Sequence, residues 1–453
     1  MRTHALAGAV LLLAVLAPAA QAAEKVRFST PRAGEAKLSF TASVPGTRWD
    51  RAGREAAVLR VSVDGRHAAD VVAFAGADRF RYRTALGRVS RGRHTVKVAV
   101  DRAKSPVRGA RIRRLKPVMT PSSDLVARHA PILYGRDLPE IRGRYENART
   151  DVPMLAYHAS SAANGQTTIE YTTIWSNEDG GTNTPALMAR WGRTTDIEWI
   201  YRVTLGADGS VVSAVYHGPN HETLPFTGAR ERDHPLLQTA TSNNNLLQVT
   251  GARPVDNLRF FLDTRRRLPA GRAREAAMDA NPWTYQVMAR EIVREGRIET
   301  RPDPATPEVS DQRNYLFAEV DKDTSYGTPP ASGSWVGTAL EVLVDGRWYS
   351  SHHGEPTWSI QRDEPAATTV ELPPGTTAAD VEAIKAVAVP VGTPPADWRI
   401  DVTSLNRGFF LGKDYLPGAS FLTWRGTASL TPASPEAVIW RPTAAFSSGV
   451  AFQ

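Results

Sequence analysis

RWGRTTDIEWIY (190–201) opens the stretch that decides how the chain folds. From Thr195 to Leu205 apolar and polar residues alternate, as they do along a half-buried strand. Ile197, Trp199, Tyr201, Val203 and Leu205 fall on one face, so Trp199 is expected in the core. The other face carries Asp196, Glu198, Arg202 and Thr204, with Ile200 among them. Two carboxylates two residues apart opposite a strong apolar face are either a solvated surface or a site.

The neighbouring sequence supplies partners for them. LGADGSVV (205–212) holds Asp208-Gly209, a strong hairpin signal. A two-residue loop there pairs Ala207 with Ser210, sets Tyr201 against Tyr216 and Ile200 against His217, and puts His217 on the carboxylate face. A loop of odd length would reverse that parity. YHGPNHE (216–222) then hangs His221 and Glu222 over the same end of the sheet. Upstream, Tyr157-His158 leads into the strand TTIEYTTIW, and SNEDGGTN (176–183) is a turn dense in oxygen ligands, Asn177, Glu178, Asp179 and Asn183.

Carboxylates beside imidazoles serve two chemistries. They can hold a divalent cation, and Asp196, Glu198, His158 and His217 are the candidate ligands, for Ca2+ or Mg2+. They can also work as general acid and base, with Glu198, Asp196 and His217 as the catalytic set. Asp179, His221, Glu222 and Arg202 are candidate ligand-binding residues around them. The bland alternative is a salt-bridged sheet face. HETLP (221–225) is not a zinc helix, because the second histidine is missing and Pro225 opposes helix formation. No nucleophile elbow, Walker loop or dinucleotide fingerprint occurs.

The rest of the chain reads as all-β with minor α. Segments such as AKLSFTASV, AAVLRVSVDG and GRHTVKVAVD recur every 8–12 residues between Gly and Asp turns, which predicts a β-sandwich or jelly-roll module over 24–115. KPVMTPSSD (116–124) reads as a linker. A larger β-sandwich unit follows over 125–453, divisible near 301–313, with one or two helices. The clearest helix has Asn281 as its cap, Pro282 at its first position and WTYQVMAREIVREG closing on Gly296. Thirty-two prolines and 34 glycines suit many turns.

Residues 1–22 have a basic start, an apolar run and an Ala20-Gln21-Ala22 ending, the pattern of a cleaved signal peptide, so a secreted or periplasmic protein without a transmembrane segment is expected. The chain has no cysteine, which excludes disulfides and thiolate metal sites. Its charge is +8, and losing Arg2 with the leader leaves 54 basic against 47 acidic residues, or +7. Arginine clusters such as Arg265-Arg266-Arg267 could meet anionic glycans, lipid headgroups or nucleic acid, or simply solvate the surface. No nucleic-acid module is recognisable, and no nucleic-acid partner is expected.

The order HAPILY (129–134), IEYTTIWSNEDGG, GRTTDIE and VVSAVYHGPNHE resembles the β-sandwich proteins related to vacuolar-sorting-associated proteins and to necrosis-and-ethylene-inducing-like cytolysins. Against the cytolysins' Gly-His-Arg-His-Asp-Trp-Glu heptapeptide, GRTTDIE matches at Gly192, Asp196 and Glu198. The resemblance implies a cation held by the acidic residues and docking on a glycolipid headgroup. Arg193 and Thr195 stand where that family has histidines, and His217 or His158 would have to substitute. Three functions follow as expectations: a protein engaging a glycan or glycolipid surface through the carboxylate and histidine face; a polysaccharide-directed hydrolase or lyase; or a structural envelope protein without catalysis.

Overall fold

The computed structural model describes residues 23–138, 144–178, 180, 182–251, 255–300, 303 and 305–442. The expected signal peptide and Asp179 lie outside the described residues. The architecture is mostly β, in sheets that are antiparallel apart from one parallel pair of strands.

The first seven strands are β1 (Ala23–Thr30), β2 (Gly34–Ser43), β3 (Ala57–Val63), β4 (Arg66–Ala73), β5 (Phe80–Val89), β6 (Gly92–Val100) and β7 (Arg111–Met119). They form two sheets, ordered β1-β6-β3-β4 and β5-β2-β7. Alternation drives this: Leu38, Phe40, Val61, Val96 and Val98 point inward and are buried, with polar or charged residues between them. Lys116–Met119, expected in a linker, instead finishes β7, where it pairs with β2 up to Ala36↔Met119.

The next strands are β8 (Ile132–Tyr134), β9 (Pro153–Ala163), β10 (Gln166–Trp175), β11 (Ile197–Leu205), β12 (Val211–His217), β13 (Thr223–Pro225), β14 (Arg230–Glu231), β15 (His234–Thr239), β16 (Leu246–Gln248) and β17 (Arg259–Phe260). A five-stranded meander, β13-β12-β11-β10-β9, is covered by the sheet β14-β15-β8-β17. The helices α1 (Leu125–Arg128), α2 (Thr184–Trp191), α3 (Ala276–Asp279) and α4 (Trp283–Glu295) flank it. The last group is β18 (Tyr315–Tyr326), β19 (Trp335–Val344), β20 (Arg347–Ser350), β21 (Ala366–Glu371), β22 (Val381–Val391), β23 (Trp398–Phe409), β24 (Trp424–Leu430) and β25 (Glu436–Trp440), a sandwich of β21-β18-β23-β24 on β20-β19-β22-β25. None of the described helices is long and apolar enough to cross a membrane.

Helix α4 starts one residue later than the sequence suggests: Pro282 is its cap. The short helix α3 runs almost directly into it, and the Asn281 side chain is occupied by the Ala277 carbonyl and the Arg266 guanidinium rather than by the first turn. Glu291 on α4 is wholly buried. It accepts from Trp49 Nε1 (3.0 Å) in the first sandwich, from Thr150 Oγ1 (2.8 Å) and Asp151 N (2.9 Å) beside the meander, and pairs with Arg294 (3.0 Å). One carboxylate thus ties three parts of the chain together.

Candidate functional site

The segment before β11 is held from both ends. Helix α2 has Asn183 as its cap and Pro185 near its start, and it closes on Gly192 in the left-handed conformation, φ +64°. The pattern Asn-Thr-Pro…Gly in the sequence is the local signal of this second substantial helix. The last α2 carbonyls accept from the C-terminal sandwich, Met188 from Thr369 (2.9 Å) and Ala189 from Thr368 (2.6 Å). Arg193, Thr194, Thr195 and Asp196 then run through the interior, all buried. Arg193, standing where the resemblance calls for a histidine, donates to Glu275 at 2.8 Å. Thr195 donates to the Met278 sulfur at 3.4 Å.

A β-bulge reshapes β11. Tyr201 pairs with Tyr171, but Trp199 pairs with Thr172, leaving Ile200 as an extra residue. The apolar stripe therefore changes sides. Ile197 packs with Tyr157, Met188 and Met288, whereas Tyr201, Val203 and Leu205 join the core that continues into the first sandwich. Trp199 is not in the core as expected. It is half-buried and stacks on His217, with ring centroids 5.1 Å apart, while the Arg202 guanidinium lies 4.7 Å from the Trp199 ring.

The hairpin register holds for a reason that differs from the expected one. Leu205 pairs with Val211 across a five-residue loop, an odd length, and Gly209 donates to the Gly206 carbonyl. A second bulge, at Val212, restores the parity, so Thr204 faces Ser213 and Tyr201 faces Tyr216. His217 consequently reaches Glu198: Nδ1 lies 3.2 Å from Oε2. The His221 ring, on a left-handed backbone at φ +60°, comes within 5.2 Å of the His217 ring. One ligand atom from each of Glu198, His217 and His221 fits within 4.8 Å of the others.

The remaining candidates divide. Asp196 faces inward, where Asn244 Nδ2 donates to it at 3.1 Å and to Asp151 Oδ1 at 3.1 Å. It is 3% exposed, so a catalytic pair of Asp196 and Glu198 lacks one reachable carboxylate. His158 pairs across β10 with Tyr171, hence shares the face of Tyr171, Tyr201 and Tyr216, opposite to His217. Its Nδ1 lies 2.7 Å from the Thr264 carbonyl, and it does not join the cluster. Arg202 pairs with Glu170, Nε to Oε2 at 2.9 Å. Glu222 is exposed beyond His221, with its carbonyl accepting from Gly218 N.

Burial dominates the electrostatics. It pushes Asp196 well above the usual carboxylate range, reinforced by Glu198 and Glu178. Burial likewise raises Glu178 to about 7 and raises Glu198, whose shift is moderated by Arg274 and His221. His217 is pushed down to about 4 by burial, then by His221 and Arg274, and so presents a neutral imidazole. Arg274, Arg193 and Asn244 were missed by sequence reasoning. Only Asn244 left a signal, in the run SNNN (242–245), where it takes the left-handed φ of +59° that asparagine tolerates.

No protein-family model matches the chain, and no curated protein does. Among solved structures the chain is similar to NLPPya in complex with glucosamine, at 15% identity and a TM-score of 0.23 over 34% of this chain and 76% of that one. It is similar to a family 35 carbohydrate-binding module from Clostridium thermocellum, at 15% identity and a TM-score of 0.16, over 22% and 70%. A ruminal GH26 endo-β-1,4-mannanase matches at 11% identity and a TM-score of 0.18, over 24% of this chain and 20% of the mannanase. The likeness to the necrosis-and-ethylene-inducing-like proteins and to carbohydrate-binding modules is thus weak and partial.

Proposed function

We propose that the chain is an exported glycan-binding protein whose Glu198–His217–His221 cluster holds a divalent cation at the binding face. The convergence of those three ligand atoms within 4.8 Å carries the reading. Two imidazoles and one carboxylate suit a borderline cation such as Zn2+ or Mn2+ better than Ca2+ or Mg2+, which prefer all-oxygen shells. His217 is buried and His221 exposed, so a cation here would keep positions open to solvent and to sugar hydroxyls. Trp199, stacked on His217 and lying against the Arg202 guanidinium, leaves its indole edge and the Arg202 charge beside the cluster for sugar contacts.

The test is a thermal-shift titration of EDTA-stripped protein with Zn2+, Mn2+, Ca2+ and Mg2+, followed by a neutral-glycan array with and without chelator. A cation at a hundredfold excess over its Kd stabilises by about 2.7 kcal/mol, a shift of several degrees. The expected result is such a shift with Zn2+ or Mn2+, its loss in His217→Ala and Glu198→Gln, and glycan retention that EDTA abolishes. If none of the four cations moves the melting temperature, the cation reading fails. If the array stays blank with the cation loaded, the glycan reading fails.

A further inference from the structure

The cluster at Glu198 leaves the arginine run 265–267 unexplained. Two of those residues, Arg265 and Arg266, line a cavity of about 540 Å3 where the first sandwich meets the meander and the start of α4. From the other side β5 contributes Arg81 and Arg83, two residues apart and therefore on one face, both exposed. Trp283 and Phe80 form part of the wall with their rings only partly covered, 5.1 Å apart. A second cavity of about 380 Å3, lined by Arg267 and Arg272, also has Arg266 in its wall, so the two adjoin.

The charge inside this cleft is not balanced. Four guanidinium groups line the larger cavity against two carboxylates, Asp70 and Asp263. Both carboxylates have partners: Asp70 binds Lys104 (3.0 Å) and His67 (2.9 Å), and Asp263 accepts from Arg265 Nε (2.6 Å). Among the described residues Arg81 and Arg83 enter no ion pair. Arg266 donates one terminal nitrogen to Asn281 (2.9 Å), yet its buried Nε has no acceptor. Burial draws the pKa of Arg265 and of Arg266 below the ordinary value, with Arg83 adding repulsion at Arg266.

We propose that this interdomain cleft binds an acidic oligosaccharide, its uronate carboxylates taken by Arg83 and Arg266 and one sugar ring lying against Trp283. The site is separate from the cation cluster and does not depend on it. Guanidinium forks match carboxylates in geometry and charge. A volume of about 540 Å3 is in the range of small-ligand pockets. Adjoining cavities give room for a ligand longer than the first one holds. A single-stranded nucleic acid needs a row of open rings, whereas Phe74, Tyr82 and Phe260 here are buried and only Phe80 and Trp283 are partly free.

Calorimetric titration of the full chain with tetragalacturonate, in EDTA so that the cation site takes no part, tests this. Binding is expected, weakening as salt rises. Arg83→Gln and Arg266→Gln should each weaken it about tenfold, the scale of one charge-assisted hydrogen bond. Arg83 is exposed and without an ion pair, so that variant folds, and unchanged far-ultraviolet dichroism verifies it. The fully methyl-esterified tetrasaccharide should not bind. Equal binding of the ester, unchanged affinity in both variants, or tighter binding of a heparin fragment or of single-stranded oligothymidine would each overturn the uronate assignment.

Discussion

Gly192 is the one matched position of the GRTTDIE stretch with no chemistry, and its role can be measured. Its φ of +64° costs an alanine about 1 kcal/mol or more. A Cβ there would also lie 2.9 Å from the Thr368 nitrogen, 3.0 Å from Ala367 Cβ and 3.1 Å from the Ala367 carbonyl carbon. Backbone atoms cannot rotate away, so overpacking adds about 1–3 kcal/mol. Gly192→Ala should therefore cost about 2–4 kcal/mol. Gly296 closes α4 in the same way at φ +70°, but nothing lies within 4 Å of its Cβ position. Gly296→Ala should cost only the conformational part, about 1 kcal/mol. Urea denaturation followed by tryptophan fluorescence compares the two midpoints at equal slope. The larger loss at Gly192 should come with a weakened cation response, because the residues leading to Glu198 leave that turn directly. Equal losses in the two variants would refute the claim that α2 is clamped against β21.

Glu291→Ala removes the acceptor shared by Trp49, Thr150 and Asp151 and leaves Arg294 with Glu295 as its carboxylate partner, so a loss of about 3 kcal/mol from the donors left unpaired is expected in the same denaturation assay. Glu371 is raised by burial to about 7 from 4.5, so its contribution to stability is full below about 4.5 and is lost as pH rises through 7. His353, 3.9 Å away and held down at about 4, stays neutral in the folded state over that window. Glu371→Gln should accordingly gain on the wild type between pH 5 and 8, by at most about 3 kcal/mol; a pH-independent difference contradicts the burial argument. Asn244→Asp turns a donor to Asp151 and Asp196 into a third acceptor, and should destabilise at neutral pH and recover on acidification. Circular-dichroism melts at two pH values check that, with a pH-independent loss as the contrary result.

The strands were legible because alternation is set by burial on one side, and the sandwiches around Leu38 and Leu340 follow it. The His217–Glu198 contact was legible for the same reason, although two irregularities had to cancel to produce it. The five-residue loop flips the parity and the bulge at Val212 flips it back, and neither leaves a mark in LGADGSVV. The bulge at Ile200 was invisible for another reason. In EWIY three adjacent apolar residues look the same whether a strand is regular or bulged, and only the two separate cores decide it. Arg193 and Arg274 were unreadable because nothing local tells a buried or half-buried arginine from a solvated one.

The start of β11 explains why the acidic pair became two different things: Asp196 ends the buried segment that follows α2, whereas Glu198 already lies in the strand. In a regular strand Trp199 is spent on the core. Here the residues up to Trp199 are shifted by one relative to the rest of β11. Asp196 stays beside Asn244, where burial first, and then the Glu198 and Glu178 charges, push the carboxyl toward its neutral form. Glu198 emerges 20% exposed beside His217, and Trp199 closes over the imidazole from the solvent side of the core. The inner acid is held by Asn244, away from the Glu198–His217 contact. The outer acid is the one that can meet a ligand, and its partners come from the hairpin, not from the heptapeptide.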